Sequence, residues 1–314
     1  MGRAIINIAQ LITTDMDPSQ AARKIRSMEI RGALKIGLTA AGALKEYAKE
    51  YVGDHDEFLK DLKRQGAELK RARPTAVSLP NAVDYVIALA GKTGEKKELI
   101  RGINKFLKEQ KGALDKVADI CSKRIKSGDV VLTHCNSTAV LESIKAAHAR
   151  GKKISVVCTE TRPRHQGYLT AKFMARNKIP VTLVIDSAAR WAMEELDVDR
   201  VIIGADTITA NGSVVNKIGT SQIALAAHES NIPVICACET LKFSPETLEG
   251  VPVEIEEREH AEIRKAMRGV KMANPAFDIT PPEYIDEIVT EDGVISPYMA
   301  YEVLRDKFGK KFGD

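Results

Sequence analysis

From Gly128 onward, short apolar runs rich in β-branched residues alternate with segments that have helical periodicity. The runs have the length of strands and cover residues 130–134, 154–159, 181–185, 201–203 and 233–237. The helical segments between them cover residues 139–149, 169–176, 188–196 and 221–230. This alternation is typical of a parallel sheet with helices on both of its faces. Right-handed crossovers then predict a Rossmann-like arrangement.

The first 112 residues follow a different pattern, because helical periodicity continues there without strand-length runs. Arg31-Gly32 interrupts two helical segments, and Pro74 ends a third, since proline disfavours helix in the residue before it. We therefore predict an α/β fold in which a helical N-terminal domain at residues 1–112 precedes a Rossmann-like parallel-sheet domain at 113–314. Residues 113–127 are expected to form the linking helix.

Charge and composition argue against several classes of protein. The chain has 47 Lys and Arg residues against 43 Asp and Glu residues, and this net charge of +4 is too weak to indicate nucleic acid as a partner. No apolar run approaches the ~20 residues that span a bilayer, so no membrane association is expected. Five cysteines without an apolar signal region favour reduced thiols in the cytoplasm.

The stretch from 201 to 220 carries the first candidate site. Asp206 follows an apolar strand, and Asn216 and Lys217 precede a helical segment next to Gly219. Ligands of open α/β sheets bind at the carboxyl ends of the strands, and helix N-termini favour phosphate. In the alternative interpretation, Asp206 caps a turn, Asn216 caps the helix and Lys217 is solvated.

Cys135 is the second candidate, because it ends the run at 130–134 and precedes a helix. A helix N-terminus should lower the pKa of this thiol and make it a base. Asp206 should lie at the same edge of the sheet, where the two groups can share acid and base roles. The opposite assignment of acid and base stays open, as does burial of Cys135 as a small apolar residue.

Basic and amide side chains in predicted loops are candidates for binding phosphate, through the arginine fork or the lysine charge. They are Arg31, Arg73, Arg162, Arg164, Gln166 and Lys217. Ser137 and Thr138 begin a predicted helix and could form a second phosphate site. For any one of these residues taken alone, a solvated side chain is the better interpretation. The patterns for dinucleotide and nucleoside triphosphate sites are absent from the sequence.

Several motifs in order along nearly the whole chain resemble those of the sugar-1-phosphate aldose–ketose isomerases. They are Arg31-Gly32-Ala33, Arg73-Pro74-Thr75, Cys135-Asn136, Glu160-Thr161-Arg162-Pro163, Gln166-Gly167, Gly204-Ala205-Asp206, Asn216-Lys217-Ile218-Gly219-Thr220 and Asn274-Pro275-Ala276-Phe277-Asp278. That superfamily contains methylthioribose-1-phosphate isomerase, archaeal ribose-1,5-bisphosphate isomerase and the regulatory subunits of the eukaryotic translation-initiation exchange factor.

Within the superfamily, the chain is most similar to the ribose-1,5-bisphosphate isomerases. Cys135 and Asp206 match the family's catalytic pair, which the exchange-factor subunits generally lack. Ser137-Thr138 replaces the Thr-Gly that usually follows in the methylthioribose enzymes, and the N-terminal segment is shorter than theirs. The expected reaction converts ribose 1,5-bisphosphate to ribulose 1,5-bisphosphate. The alternatives are methylthioribose-1-phosphate isomerase and a non-catalytic exchange-factor-like subunit.

The resemblance also predicts how the site is built. Its phosphate contacts fall on Arg31, Gly32, Ala33, Arg73, Gln166, Asn216 and Lys217, in a cleft between the two domains. Ser137 and Thr138 are assigned to the second phosphate from helix polarity alone. The expected partners are a sugar-phosphate substrate, further copies of the chain as a homodimer or a hexamer, and adenosine monophosphate as an activator in nucleotide salvage. Neither a metal nor another cofactor is expected, and the sequence does not choose between a phosphoenolate route and a hydride shift.

Overall fold

The computed structural model describes residues 16–30, 32–73 and 76–308. The chain divides into two compact units, Met1–Ala113 and Leu114–Asp314. The described part of the first unit is helical, and its last helix continues past the boundary. The helices are α1 (Pro18–Arg26), α2 (Ala33–Glu50), α3 (His55–Ala72), α4 (Ser78–Lys92) and α5 (Lys96–Arg124).

Close packing brings the start of α2 to the start of α4. The Ser78 hydroxyl donates a hydrogen bond of 2.5 Å to the Ala33 carbonyl. A Cβ atom at Gly37 would lie 2.6 Å from the Ser78 carbonyl oxygen, so only glycine allows this approach. Both contacts fix the backbone next to Gly32 and Ala33.

The described part of the second unit, residues 114–308, contains ten strands and five further helices. The strands are β1 (Val130–Thr133), β2 (Ser155–Thr159), β3 (Val181–Val184), β4 (Arg200–Ile203), β5 (Thr207–Ile208), β6 (Val214–Lys217), β7 (Val234–Ala237), β8 (Phe277–Thr280), β9 (Glu287–Thr290) and β10 (Gly293–Ile295). The helices that begin in this unit are α6 (Thr138–Ala149), α7 (Gly167–Arg176), α8 (Ala189–Glu195), α9 (Thr220–Glu229) and α10 (Ala300–Phe308).

Seven of these strands form the central sheet, in the order β10-β9-β7-β4-β1-β2-β3. All neighbours in it are parallel except β10, which pairs antiparallel with β9. From β1 the chain moves outward through β2 to β3, returns to β4 on the other side, and continues through β7 to β9. The strand order therefore reverses between β1 and β4, and open α/β sheets bind their ligands at such a switch point.

The predicted fold class is confirmed, because helices precede a mostly parallel sheet of Rossmann type. The central strands have the apolar core that their sequences predict, with Leu132, Val201 and Ile203 fully buried. Strands β9 and β10 form an antiparallel hairpin at the edge of this sheet.

One part of the fold was not predicted. Strands β5, β6 and β8 form a separate three-stranded antiparallel sheet. Strand β8 lies between the prolines at 275 and 281. In the described part of the chain, no helix is long and apolar enough to cross a membrane.

Candidate active site

Cys135 lies in a strained turn directly after β1. Its φ angle is 67°, which is uncommon for a residue with a side chain and is often found at functional sites. Two threonines hold this backbone from either side. The Cys135 amide donates to the Thr161 hydroxyl at 2.9 Å, and the Cys135 carbonyl accepts from the Thr170 hydroxyl at 2.6 Å. The turn therefore fixes the thiol at the end of a central strand.

Asp206 follows β4, the parallel neighbour of β1. Gly204 allows the two strand ends to approach, since a Cβ atom there would lie 2.4 Å from the Ser137 Oγ. The charge of the Asp206 carboxylate acts on the Cys135 thiol and raises its pKa. The predicted pair is thus brought together at the switch point of the sheet.

The Cys135 thiol keeps its proton in this site. Burial raises its pKa to about 11, and the charges of Lys217 and Arg258 and the Asn136 amide lower it by less. The expected fall in the pKa of this thiol is therefore wrong. A helix N-terminus stabilises a thiolate, but Cys135 is only partly exposed and desolvation of its sulfur outweighs that effect.

Lys217 is buried at the end of β6, with 7% of its surface exposed. Its Nζ donates to the Ala276 carbonyl at 2.9 Å and lies 4.3 Å from the centroid of the Phe277 ring. Asn216 is also buried, and its amide donates to the Thr220 hydroxyl at 3.0 Å. The alternative in which Lys217 is solvated and Asn216 caps the helix is therefore excluded.

The two helix N-termini near these residues differ. At the start of α9, the amides of Gly219 and Ser221 already donate to the Asp278 carboxylate, at 2.7 and 3.1 Å. A protein carboxylate therefore satisfies two of the amides at this terminus. At the start of α6, Ser137 occupies the N-cap position without a side-chain capping bond, and Thr138 is exposed. The α6 terminus thus remains available to an anion.

Other predicted residues lie at turns that suit ligand binding. Gln166 begins α7, and its side-chain oxygen is buried without a hydrogen-bond partner among the described residues. In the first unit, Gly32 is the N-cap residue of α2 and has a φ angle of 90°, and Arg73 is the C-cap residue of α3. Ala33 is the first residue of α2. Arg31 lies outside the described residues. Across residues 16–30, 32–73 and 76–308, no group of three or more His, Cys, Asp or Glu side chains is arranged to hold a metal ion.

The sequence pattern of the initiation factor 2 subunit family matches residues 29–297. The chain belongs to the initiation factor 2 subunit family. One relative, named ribose 1,5-bisphosphate isomerase in Methanocaldococcus jannaschii, is 49% identical over 91% of this chain and 94% of its own length. Another, named methylthioribose-1-phosphate isomerase in Acetivibrio thermocellus, is 42% identical over 88% of each chain.

A solved structure supports the same family. The crystal structure of the Pyrococcus horikoshii OT3 translation initiation factor eIF-2B is 31% identical in sequence, with a TM-score of 0.77. It covers 89% of this chain and 97% of that chain. Proteins named for different functions therefore share this family's fold, and the residues of the site must account for the difference in function.

Four residues at this family site were missed as candidates from the sequence. Arg258 is almost buried, its Nε lies 3.1 Å from Glu256 Oε1, and its charge lowers the pKa of Cys135. Lys242 is buried near Asp206. Desolvation lowers the pKa of Lys242, but the charges of Glu239, Cys238 and Asp206 outweigh it and raise the pKa above its ordinary value. The other two missed residues are His134 and Asp278.

The neutral ring of His134 joins β2 to the turn before α9 through hydrogen bonds to Thr159 and Ile218. Its Nε2 lies 2.9 Å from the Ile218 carbonyl, which can only accept, so Nε2 carries the proton. Its Nδ1 then accepts from the Thr159 hydroxyl at 2.6 Å. Burial lowers the pKa of His134, although the Ile218 carbonyl and Asp186 act in the opposite direction. Its position just before Cys135 was the only signal in the sequence.

Proposed function

We propose that this chain is an aldose–ketose isomerase that converts ribose 1,5-bisphosphate to ribulose 1,5-bisphosphate. The observation that carries the proposal is the juxtaposition of a thiol and a carboxylate, Cys135 and Asp206, at the switch point of the sheet. The identity of 49% to a ribose 1,5-bisphosphate isomerase over 91% of the chain supports the same substrate.

The chemistry needs one acid and one base. C1 of the substrate carries a phosphate, so the ring opens only if its oxygen receives a proton while C1 takes up positive charge. We assign this proton to the Cys135 thiol, because burial keeps the sulfur protonated at neutral pH. This reverses the role first expected for Cys135.

Asp206 is then the base. In a phosphoenolate route it removes the C2 proton, and C1 later receives a proton while the O2 hydroxyl loses its own, which leaves the ketone at C2. In a hydride shift it removes the O2 proton while the hydrogen moves from C2 to C1. Both routes end with a carbonyl at C2 and two hydrogens at C1. Turnover in D₂O distinguishes them, since only the first places deuterium at C1.

Cationic and amide groups surround this pair and suit a doubly phosphorylated sugar. Lys217, Asn216 and Gln166 are assigned to one phosphate, together with Arg31, Gly32, Ala33 and Arg73 by resemblance. Ser137 and Thr138 are assigned to the other phosphate, because they begin α6 with open amides. Lys242 lies near Asp206 and adds a buried positive charge.

A phosphorus and carbon NMR assay tests this proposal. The purified protein should convert ribose 1,5-bisphosphate to a product with a ketone carbon at C2. Asp206→Asn should lose roughly 10²–10⁴-fold in kcat, whereas Asp306→Asn, a matched change at an exposed residue of α10, should not. Wild-type protein that leaves the sugar unchanged would overturn the assignment.

Methylthioribose 1-phosphate is the second candidate substrate, since a relative named methylthioribose-1-phosphate isomerase is 42% identical over 88% of the chain. We also propose that the protein acts in nucleotide salvage as a homodimer or hexamer and that adenosine monophosphate activates it. These three proposals follow the family resemblance. Light scattering of the pure protein, and kcat/KM with and without the nucleotide, test the last two.

A further inference from the structure

Asp278 is a carboxylate that caps a helix from another element. It lies on β8, directly opposite Asn216 of β6 in the register of the small sheet. Its Oδ2 accepts from the Gly219 amide at 2.7 Å and from the Ser221 amide at 3.1 Å. Gly219 is the N-cap residue of α9 and has no side chain to do this. Asp278 therefore takes the place of the N-cap side chain.

The turn that Asp278 holds is in direct contact with the residue before Cys135. Gly219 has a φ angle of 102°, and a Cβ atom there would lie only 3.2 Å from the His134 ring. The neighbouring Ile218 carbonyl accepts from His134 Nε2 at 2.9 Å. The turn is thus fixed by Asp278 through its amides and by His134 through its carbonyl. Asp278 is thus connected to Cys135 through this turn and through His134, the residue before Cys135.

Asp278 also has an oxygen that capping does not use. Its Oδ1 is buried and has no hydrogen-bond partner in the part of the chain that the structure describes. A buried polar atom in this state calls for an explanation, such as a bound water, an ion or a role in the chemistry of the site. A carboxylate that only capped α9 could be replaced by a neutral acceptor at no loss.

From these contacts we propose that Asp278 is a positioning residue of the active site. Its ionised carboxylate holds the Lys217-Ile218-Gly219 turn against His134, and this fixes Cys135 and Lys217 for reaction. The inference rests on the proposed function only where turnover is measured.

Burial disfavours the ionised form of Asp278, because it removes water from the carboxylate. Burial raises the pKa of Asp278 to about 6 from an ordinary 3.8, although the amides of Ser221, Gly219 and Asp278 itself, and the charge of Lys217, act in the opposite direction. The folded protein therefore binds this proton more tightly than the unfolded chain does. Ionisation at pH 7 destabilises the fold, and stability should rise as the pH falls through 6. A destabilising charge retained in a site is typical of a functional group.

Asp278→Asn tests the proposal, because the amide oxygen can still accept from both backbone amides. We expect the melting temperature at pH 7 to be unchanged or higher and kcat to fall at least tenfold. The wild-type decrease of kcat/KM below pH 6 should disappear in the variant. A decrease caused by the substrate phosphates would persist in both proteins. Wild-type kcat with an unchanged pH profile, or a large loss of melting temperature, would reduce Asp278 to a cap.

The matched control is Asp286→Asn. The Asp286 carboxylate also accepts from a backbone amide, that of Val234 at 2.7 Å, but at the amino end of β7. That is the edge of the sheet opposite the strand ends that carry Cys135 and Asp206. This variant should keep the wild-type kcat and pH profile.

A second readout needs no substrate and so separates this inference from the proposed function. In protein labelled with ¹⁵N-histidine, the His134 Nε2 proton should exchange slowly with solvent because it is hydrogen-bonded to Ile218. Asp278→Ala, which removes the acceptor of both amides, should speed this exchange at least tenfold, and Asp286→Ala should not. Unchanged exchange in Asp278→Ala would show that Asp278 does not hold the turn, whatever the protein's substrate is.

Discussion

Burial changes the proton affinity of single residues in this site more than their neighbouring charges do. It raises the pKa of the Cys135 thiol to about 11 against the combined effect of Lys217, Arg258 and a backbone amide. It raises the pKa of the Asp278 carboxyl to about 6 against two helix amides. Both groups are therefore shifted towards their neutral forms, which favours proton donation by Cys135.

Alkylation of Cys135 should show this proton affinity directly. Iodoacetamide reacts with the thiolate, whose fraction rises about tenfold per pH unit below the pKa. We expect the alkylation rate at Cys135, followed by mass spectrometry, to rise steadily from pH 7 to pH 10. A rate that levels off below pH 8 would mean that the helix N-terminus does lower the pKa, and Cys135 would then be the better base.

Lys217→Ala should weaken both substrate binding and the fold. The buried side chain packs on the Phe277 ring and donates to the Ala276 carbonyl, so its removal leaves a cavity and an unsatisfied acceptor. We expect a loss of about 1–3 kcal/mol in urea unfolding, together with a higher KM. Lys265→Ala, at an exposed residue, is the control. An unchanged KM would remove Lys217 from the site.

Ser137→Ala tests the second phosphate site. Its hydroxyl makes no capping bond in α6, so the change should leave stability nearly intact. We expect kcat/KM to fall more for ribose 1,5-bisphosphate than for ribose 1-phosphate, which lacks the second group. Equal losses on the two sugars would place that phosphate elsewhere.

At the scale of secondary structure, the reversal of strand order between β1 and β4 creates the site. The two strands are adjacent, and each ends in a turn that carries one reactive group. Gly204 sets the distance between these turns, because its missing Cβ leaves room for Ser137. The spacing of the proposed catalytic pair thus depends on one glycine with no chemistry of its own.

Gly204→Ala should damage this arrangement. The new methyl group would lie 2.6 Å from the Ser137 Cβ, so the turn that follows Cys135 must move. We expect a loss of about 1–3 kcal/mol in stability and a lower kcat, measured by urea unfolding and turnover. Gly112→Ala, inside α5 with nothing within 4 Å, should instead stabilise by up to about 1 kcal/mol. Normal turnover in Gly204→Ala would show that the spacing is not critical.

The central strands were predictable because each is a short apolar run with β-branched residues, and such runs depend little on context. The placement of Cys135 and Asp206 at the ends of neighbouring strands was predictable, because each lies within three residues of such a run. The small sheet was missed, since β6 ends in the polar residues Asn216 and Lys217. The role of Asp278 was out of reach, because its partner Gly219 lies 59 residues away in the chain.

At the scale of the whole molecule, the family fold alone does not choose a substrate. Relatives named for two different isomerase activities match most of this chain at 42% and 49% identity. The choice depends on the groups around Cys135 and Asp206, where cations and the open N-terminus of α6 suit a second phosphate. A methylthio group would leave these polar groups without partners.

The most direct test compares kcat/KM of the wild-type protein for ribose 1,5-bisphosphate and for methylthioribose 1-phosphate. We predict a preference for the bisphosphate of at least about 100-fold, because an apolar substituent leaves the polar groups assigned to the second phosphate without partners. An equal or greater kcat/KM for methylthioribose 1-phosphate would contradict the assigned substrate. No turnover of either sugar would contradict the enzyme itself and indicate a binding subunit.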